Sequence, residues 1–333
     1  MTANMRILLT LAATTLSLAP TLTGQAGATS LTRLVQRADV IVQARTNGVP
    51  SGNAAVHVFR FQAERSLKGL TDPTFQLSEP AGRCCGRALA GLAPGSYVLF
   101  LNRDGGEYHL SVSGSRSVVA ADPTLTQHIV QLLSAADPRG RISIVAAALK
   151  STNRRVREDA ALSLPFLPEL ETANQTDQAR IAEAISQDLK GAGTQVGLLV
   201  AAERLALTSA LDDVLPTYLE NLHPRLAPLL LRAIPRIDGV DAARRITAIM
   251  PADPRGRLRA ATLLRDLPAV EARTPLLELL TTATDSAAAH AGEALIHQGA
   301  DPAWIESQTV PFVMDSIRKL RIRASSDTRG SIR

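Results

Sequence analysis

The chain has 333 residues, more than one ordinary domain, and its 45% hydrophobic and 20% charged content excludes a disordered or fibrous protein. Two cysteines exclude a disulfide-stapled mini-protein and a four-ligand zinc finger, and 3% aromatic content points to cores built from Ala and Leu. Of the net charge of +5, the stretch from Asp315 onward supplies most, with six Lys or Arg against two Asp; elsewhere the cations are mixed with acids, unlike the basic stripe of a nucleic-acid binder.

The first segment, residues 1–28, carries Arg6, an apolar run from Ile7 to Leu18, Pro20 and then small residues to Ala26-Gly27-Ala28. A basic residue, a short apolar stretch and an A-x-A site are the three parts of a secretory signal peptide, with Thr29 as the expected mature end. The apolar run is short for a permanent span, and no later window holds roughly 18 uninterrupted apolar residues. The expectation is an exported protein, periplasmic or extracellular, with no transmembrane span after signal cleavage.

Leu31–Arg37 reads as a helix leading into strands. From Ala38 to Ala120 the hydrophobic period is two: Val40, Val42 and Ala44 alternate, as do Val56 and Val58, and Tyr108, Leu110 and Val112. Tyr97–Leu101 is a continuous apolar run suited to a strand buried on both faces. Asp104-Gly105-Gly106 then reads as a hairpin loop. Short strands at this density predict a small β-barrel or sandwich over residues 29–122.

After Asp122 the period becomes helical. Ile181, Ala182, Ile185 and Leu189 share a face, as do Leu198, Ala201, Ala202 and Leu205, and Ala260, Leu263, Leu264 and Leu267. Asp-Pro occurs at 122–123, 137–138, 253–254 and 301–302, each time ahead of a helical pattern. Asp as N-cap with Pro at the first helical position is the expected local structure. Ala-Asp-Pro-Arg-Gly-Arg recurs word for word at 136–141 and 252–257, a separation of about three units of a 38–40 residue helical repeat. Val156/Ala160/Leu164 and Ala287/Ala291/Leu295 place a small residue between larger ones, so that neighbouring helices approach closely. Residues 123–322 are expected to form an α-α superhelix, and residues 323–333 a basic flexible tail.

Two resemblances accompany this pattern. Val156-Arg157-Glu158-Asp159-Ala160-Ala161-Leu162-Ser163-Leu164 resembles the second helix of a HEAT repeat, which implies an armadillo-type solenoid. Ala38-Asp39-Val40-Ile41-Val42, Leu67-Lys68-Gly69, Cys85-Gly86 and Gly95-Ser96-Tyr97-Val98-Leu99-Phe100-Leu101 are similar to words of netrin-like, tissue-inhibitor-of-metalloproteinases-like modules, which implies an OB-type barrel. Those inhibitors chelate zinc through a mature N-terminal Cys. Here the first cysteine is Cys84, so the resemblance extends to the fold and not to that activity.

Candidate chemistry is sparse. Adjacent Cys84 and Cys85 read as a structural or intermolecular disulfide, with a redox role as the alternative, Arg83 and Arg87 favouring thiolate. His290, Glu293 and His297 share one helical face, the nearest approach to a metal set, but the spacing is neither HExxH nor HxxEH. Ser316-Ile317-Arg318-Lys319 matches SxxK without its partner motifs. Asp212 and Asp213 are adjacent and point about 100° apart on a helix, unlike a working carboxylate pair. Arg318, Lys319, Arg321 and Arg323 suit an acidic partner or a cationic end cap. Phe59, Phe61 and Tyr97 on an OB-type barrel raise base stacking, which export and the missing basic groove argue against. The expected function is an exported, non-catalytic binding or scaffolding protein without a cofactor, its solenoid surface holding an unknown protein partner. The alternatives are a metal-dependent hydrolase at His290, Glu293 and His297, and a protease inhibitor acting by another mode.

Overall fold

The computed structural model describes residues 30–52, 56–80, 89, 91–112, 115–190, 196–283, 286–309, 311 and 313–319. The expected signal segment, Cys84, Cys85, Arg321, Arg323 and the basic tail lie outside the described residues. The chain divides into two compact units, Met1–Arg180 and Ile181–Arg333.

The first unit is a barrel-like antiparallel sheet with helices packed around it. Helix α1 is Leu31–Arg37, as its sequence predicts, with the Ser30 hydroxyl accepting from the Arg33 amide. The strands are β1 Val40–Thr46, β2 Ser51–Gly52, β3 Val56–Lys68, β4 Thr74–Pro80, β5 Gly95–Asp104, β6 Glu107–Leu110 and β7 Val118–Ala120. The long β3 serves two neighbours in succession: its first half pairs with β4 from Val56↔Pro80 to Gln62↔Thr74, and its second half pairs with β1. β1 in turn pairs with β5 from Val40↔Leu101 to Thr46↔Gly95, and β5 carries β6 and β7.

Alternation fills the barrel. Val40, Val42 and Ala44 face inward and meet Phe59, Phe61, Phe75, Leu77, Leu99, Leu101 and Tyr108. Val98 through Leu101 are buried on both faces, as the continuous apolar run requires. Gly105 and Gly106 take φ of +55° and +91°, the two left-handed positions of a tight hairpin turn, with Asp104 opposite Glu107. The expected inward pair Val56 and Val58 is displaced: Val56 is exposed, and Phe59 and Phe61 fill the core. Val56 and Val58 share the outward parity of Arg60 and Gln62, and Phe59 and Phe61 take the inward one; two register shifts lie further along, where Ala63–Lys68 of β3 passes β1.

No backbone ladder joins β4 to β6 among the described residues; side chains close that seam. Phe75 stacks on Phe61 with ring centroids 5.5 Å apart and meets Tyr108 at 5.2 Å and a 57° tilt. The Tyr108 hydroxyl donates to Asp72 Oδ2 at 3.1 Å and accepts from the Asp72 amide at 3.3 Å.

The word Leu67-Lys68-Gly69 has a clear local role. Lys68 Nζ donates to the carbonyls of Val35 at 3.0 Å, Gln36 at 3.3 Å and Ala38 at 2.5 Å, satisfying the C-terminal end of α1. Gly69 has φ of +68°, and a Cβ there would lie 2.6 Å from the Asp39 carbonyl oxygen. The strand end and the helix end are thereby held together.

Helices α2 Pro123–Ser134, α3 Pro138–Ala148 and α4 Arg154–Ser163 follow β7, and α1 packs on α2 and α4. Compactness thus carries the first unit past the Asp122 change of period to Arg180. Asp159 is buried on α4, with Arg155 Nε 2.5 Å from its Oδ2. Burial raises the Asp159 carboxyl to about 6, against the opposing pull of Arg155 and Arg116.

The later helices are α5 Gln175–Lys190, α6 Val196–Leu205, α7 Leu211–Leu219, α8 Ala227–Ala248, α9 Pro254–Leu264, α10 Ala269–Thr282, α11 Ser286–His297 and α12 Pro302–Gln308. Asp238 breaks α8 with an extended conformation, and its Oδ1 accepts from the Asp241 amide at 2.9 Å to restart the helix. In the second unit contacts run between helices close in order: α6 with α8, α7 with α8, α8 with α10, α9 with α11, and α10 with α11. Ala287, Ala291 and Leu295 are buried, so the small-residue seam lies where the spacing puts it.

All four Asp-Pro pairs cap helices. Asp122 accepts from Leu125 N at 3.0 Å, Asp137 from Gly140 N at 2.7 Å, Asp253 from Gly256 N at 2.8 Å and Asp301 from Ala303 N at 2.9 Å. The duplicated hexapeptide repeats its geometry as well as its letters. Asp253→Ala should lower stability by about 1 kcal/mol in urea unfolding, while Asp253→Asn should retain most of it.

Side-chain ties between helices range widely in separation, with Lys190–Asp213 at 23 residues and Arg259–Leu219 at 40, but several fall at 33 or 34. Ser143 Oγ donates to Asp177 Oδ2 at 2.6 Å, His223 Nε2 contacts the Leu189 carbonyl, and Gln298 Nε2 donates to the Leu264 carbonyl at 2.9 Å, each 34 residues apart. Arg236 with Glu203 and Arg245 with Asp212 are each 33 apart. The 33–34 spacings are shorter than the 38–40 expected from the duplicated hexapeptide, whereas the Arg259–Leu219 tie, 40 residues apart, matches it.

Candidate functional site

A groove of about 840 Å³ lies on the outer face of the sheet, where β1, β3, β4 and the start of β5 meet. Strand register builds it. Ser96, Arg45, Gln62 and Thr74 lie in one row across β5, β1, β3 and β4, because Arg45 pairs with both Ser96 and Gln62, and Gln62 pairs with Thr74. Arg60 and Gln76 pair in the adjoining row. These side chains sit at the outward positions of strands whose inward positions fill the barrel.

Glu64, beside the groove, holds two of its lining residues, Arg45 and Ser96. It accepts from Ser96 Oγ at 2.6 Å, Arg45 Nε at 2.8 Å and Gln43 Nε2 at 3.1 Å, joining β3 to both β1 and β5. The Ser96 hydroxyl foremost, then Gln43 and Arg45, hold its carboxyl below the usual range. Arg45 is thereby fixed through Nε while most of its side chain stays in water. Arg60 is exposed and makes no ion pair among the described residues. The groove therefore presents two guanidinium groups, amides and hydroxyls over a floor of paired strands, a surface for anionic, hydrogen-bonding ligands.

A second depression of about 520 Å³ adjoins it, between Gln43, Arg65 and Ser96 of the sheet and Thr126, Gln127 and Val130 of α2. His128, on the same helix, is buried, and desolvation lowers its imidazole to about 4, so it is neutral at ordinary pH.

The residues singled out from sequence are scattered. His290 Nδ1 contacts the Ser286 carbonyl at 3.0 Å, Glu293 is half-buried on the same helix, and His297 is exposed. Among the described residues no group of three His, Cys, Asp or Glu side chains is placed to hold a metal ion. Asp212 pairs with Arg245, and Asp213 lies 3.8 Å from Lys190. Arg318 pairs with Glu306 at 2.9 Å, and Lys319 with Asp315 at 2.7 Å. Phe59 and Phe61 are barrel core rather than a stacking surface, and the Tyr97 hydroxyl donates to the Ala93 carbonyl at 2.8 Å.

Sequence reasoning did not reach the Arg45–Arg60–Glu64 groove. Its residues are ordinary polar positions of separate strands, and only their pairing makes them neighbours. No helix of the described residues is long and apolar enough to cross a membrane. No protein-family model, curated protein or solved structure matches the chain.

Proposed function

We propose that this protein is an exported, non-catalytic binding or scaffolding protein, with an OB-type, netrin-like barrel followed by a HEAT-like solenoid that holds a protein partner. The observation that carries the reading is the recurrence of inter-helix ties at 33–34 residues: Ser143–Asp177, Leu189–His223, Glu203–Arg236, Asp212–Arg245 and Leu264–Gln298. Ties that return near one step, beside others at 23, 30 and 40 residues, together with contacts between helices near in order, support a stacked, degenerate repeat array. Such an array exposes a long surface whose common use is to hold another macromolecule. Export rests on the Arg6, Ile7–Leu18 and Ala26-Gly27-Ala28 segment.

Two measurements test this. Expression of the full chain in a secreting bacterium should deliver a protein outside the cytoplasm whose amino-terminal sequence starts at Thr29; an unprocessed cytoplasmic chain would overturn export. Affinity capture from the envelope fraction should retain one stoichiometric protein partner. Substrate turnover by the purified chain, lost on a single polar substitution in the helical region, would overturn the non-catalytic reading.

A further inference from the structure

We propose that the outer groove of the barrel binds an extended acidic peptide bearing carboxylates at positions i and i+2, with Arg45 and Arg60 as its two anchors. This assignment concerns the sheet and does not depend on the reading of the helical region.

Three observations converge. The first is spacing. Arg45 of β1 pairs with Gln62 of β3, and Arg60 stands two residues from Gln62 on the same face, so the arginines are diagonal neighbours. Diagonal neighbours on adjacent antiparallel strands lie about 7–8 Å apart. In an extended peptide, side chains i and i+2 point the same way with about 6.6–7 Å between them. One carboxylate for each guanidinium follows from that match.

The second observation is charge and its preorganisation. Glu64 engages Arg45 through Nε, which fixes the side chain and leaves its terminal nitrogens for a ligand. Arg60 has no acidic partner among the described residues and is exposed in the groove. Both cations are therefore available to a planar, two-oxygen acceptor without breaking an existing pair.

The third is the chemistry of the remaining lining. β1 is hydrogen-bonded to β3 and β5 at Arg45, and β3 to β1 and β4 at Gln62, so the floor between the two arginines offers no free backbone edge for a ladder. A peptide lying across Arg45 and Arg60 satisfies its amide groups through side chains. Gln62 and Gln76 supply a donor and an acceptor on each amide, the same pair of functions a peptide group carries.

The experiment uses the full chain and two labelled peptides of equal charge, Gly-Glu-Ser-Glu-Gly and Gly-Glu-Glu-Ser-Gly, followed by fluorescence anisotropy at low salt. The first should bind and the second about tenfold more weakly. Arg60→Gln should weaken the first by about tenfold or more, because the groove loses one anchor. Arg232→Gln, at an exposed arginine on α8, should leave binding unchanged. Circular dichroism of each variant should overlay on the parent. Equal binding of the two peptides, an Arg60→Gln variant that binds as the parent does, an Arg232→Gln loss of the same size, or no binding of the first peptide would each overturn the proposal.

Discussion

Phe75→Ala should destabilise the first unit by about 3–5 kcal/mol, a large share of what holds a domain of this size together. Phe75 is buried and touches both Phe61 and Tyr108, at centroid separations of 5.5 and 5.2 Å. The β4–β6 seam has no ladder among the described residues, so removing this ring opens a cavity where the barrel has only side-chain closure. Tyr108→Phe makes a useful contrast, since it keeps the ring and removes only the hydroxyl bonded to Asp72. It should cost about 1 kcal/mol. Six of the ten aromatic residues lie between residues 29 and 122, so near-ultraviolet circular dichroism during urea unfolding reports mainly on this unit. Equal effects of the two substitutions would show that the seam is held by the hydrogen bond and not by packing.

Acidification should separate the parent from His128→Leu by up to about 3 kcal/mol, in favour of the variant, between pH 7 and pH 4. The folded imidazole titrates at about 4 because it is desolvated, against 6.5 for an unperturbed histidine. Above pH 6.5 the ring is neutral in both folded and unfolded chains, and its contribution is complete. As pH falls from 6.5 toward 4, only the unfolded chain takes up the proton, and stability is lost. Below about 4 both states are protonated and the loss levels off. Leucine removes this dependence while keeping an apolar group of similar size at a buried site.

Asp159 works in the opposite direction. Its folded value of about 6 stands above the ordinary 3.8 of an aspartate, so as pH falls through that interval the folded chain is protonated first and gains stability. The parent should therefore show a shallow acid limb in which the two groups offset each other. His128→Leu should reveal a rise in stability on acidification toward pH 4.5, read from chemical unfolding midpoints at a series of pH values. A difference between parent and variant that stays constant with pH would show that His128 is solvated.

Much of the local structure can be read from single residues. The four Asp-Pro pairs are helix caps because both preferences act within one turn of chain, the Asp oxygen reaching an amide two or three residues on. Gly105-Gly106 makes the hairpin turn because no other pair adopts two left-handed conformations as readily. Val98–Leu101 is buried on both faces because a run with no polar position leaves no face for water. Other features have no local signal. Lys68 reaches the end of α1 from 30–33 residues away, and Gln298 bonds the Leu264 carbonyl across 34. The matching word Leu67-Lys68-Gly69 marked the place without showing that its lysine caps a helix.

Composition and period by themselves determined that a β-rich segment precedes a long helical one, where the caps fall, and which helix faces carry the small residues. Those properties depend on backbone geometry and burial, which act over a turn of helix or a pair of strand residues. Tertiary structure alone decided that α1–α4 pack into one compact unit with the sheet, that β3 shifts register along β1, and that Arg45, Arg60 and Glu64 share one surface. Each of these depends on which strand lies beside which, and that is settled by the packing of side chains far apart in the chain.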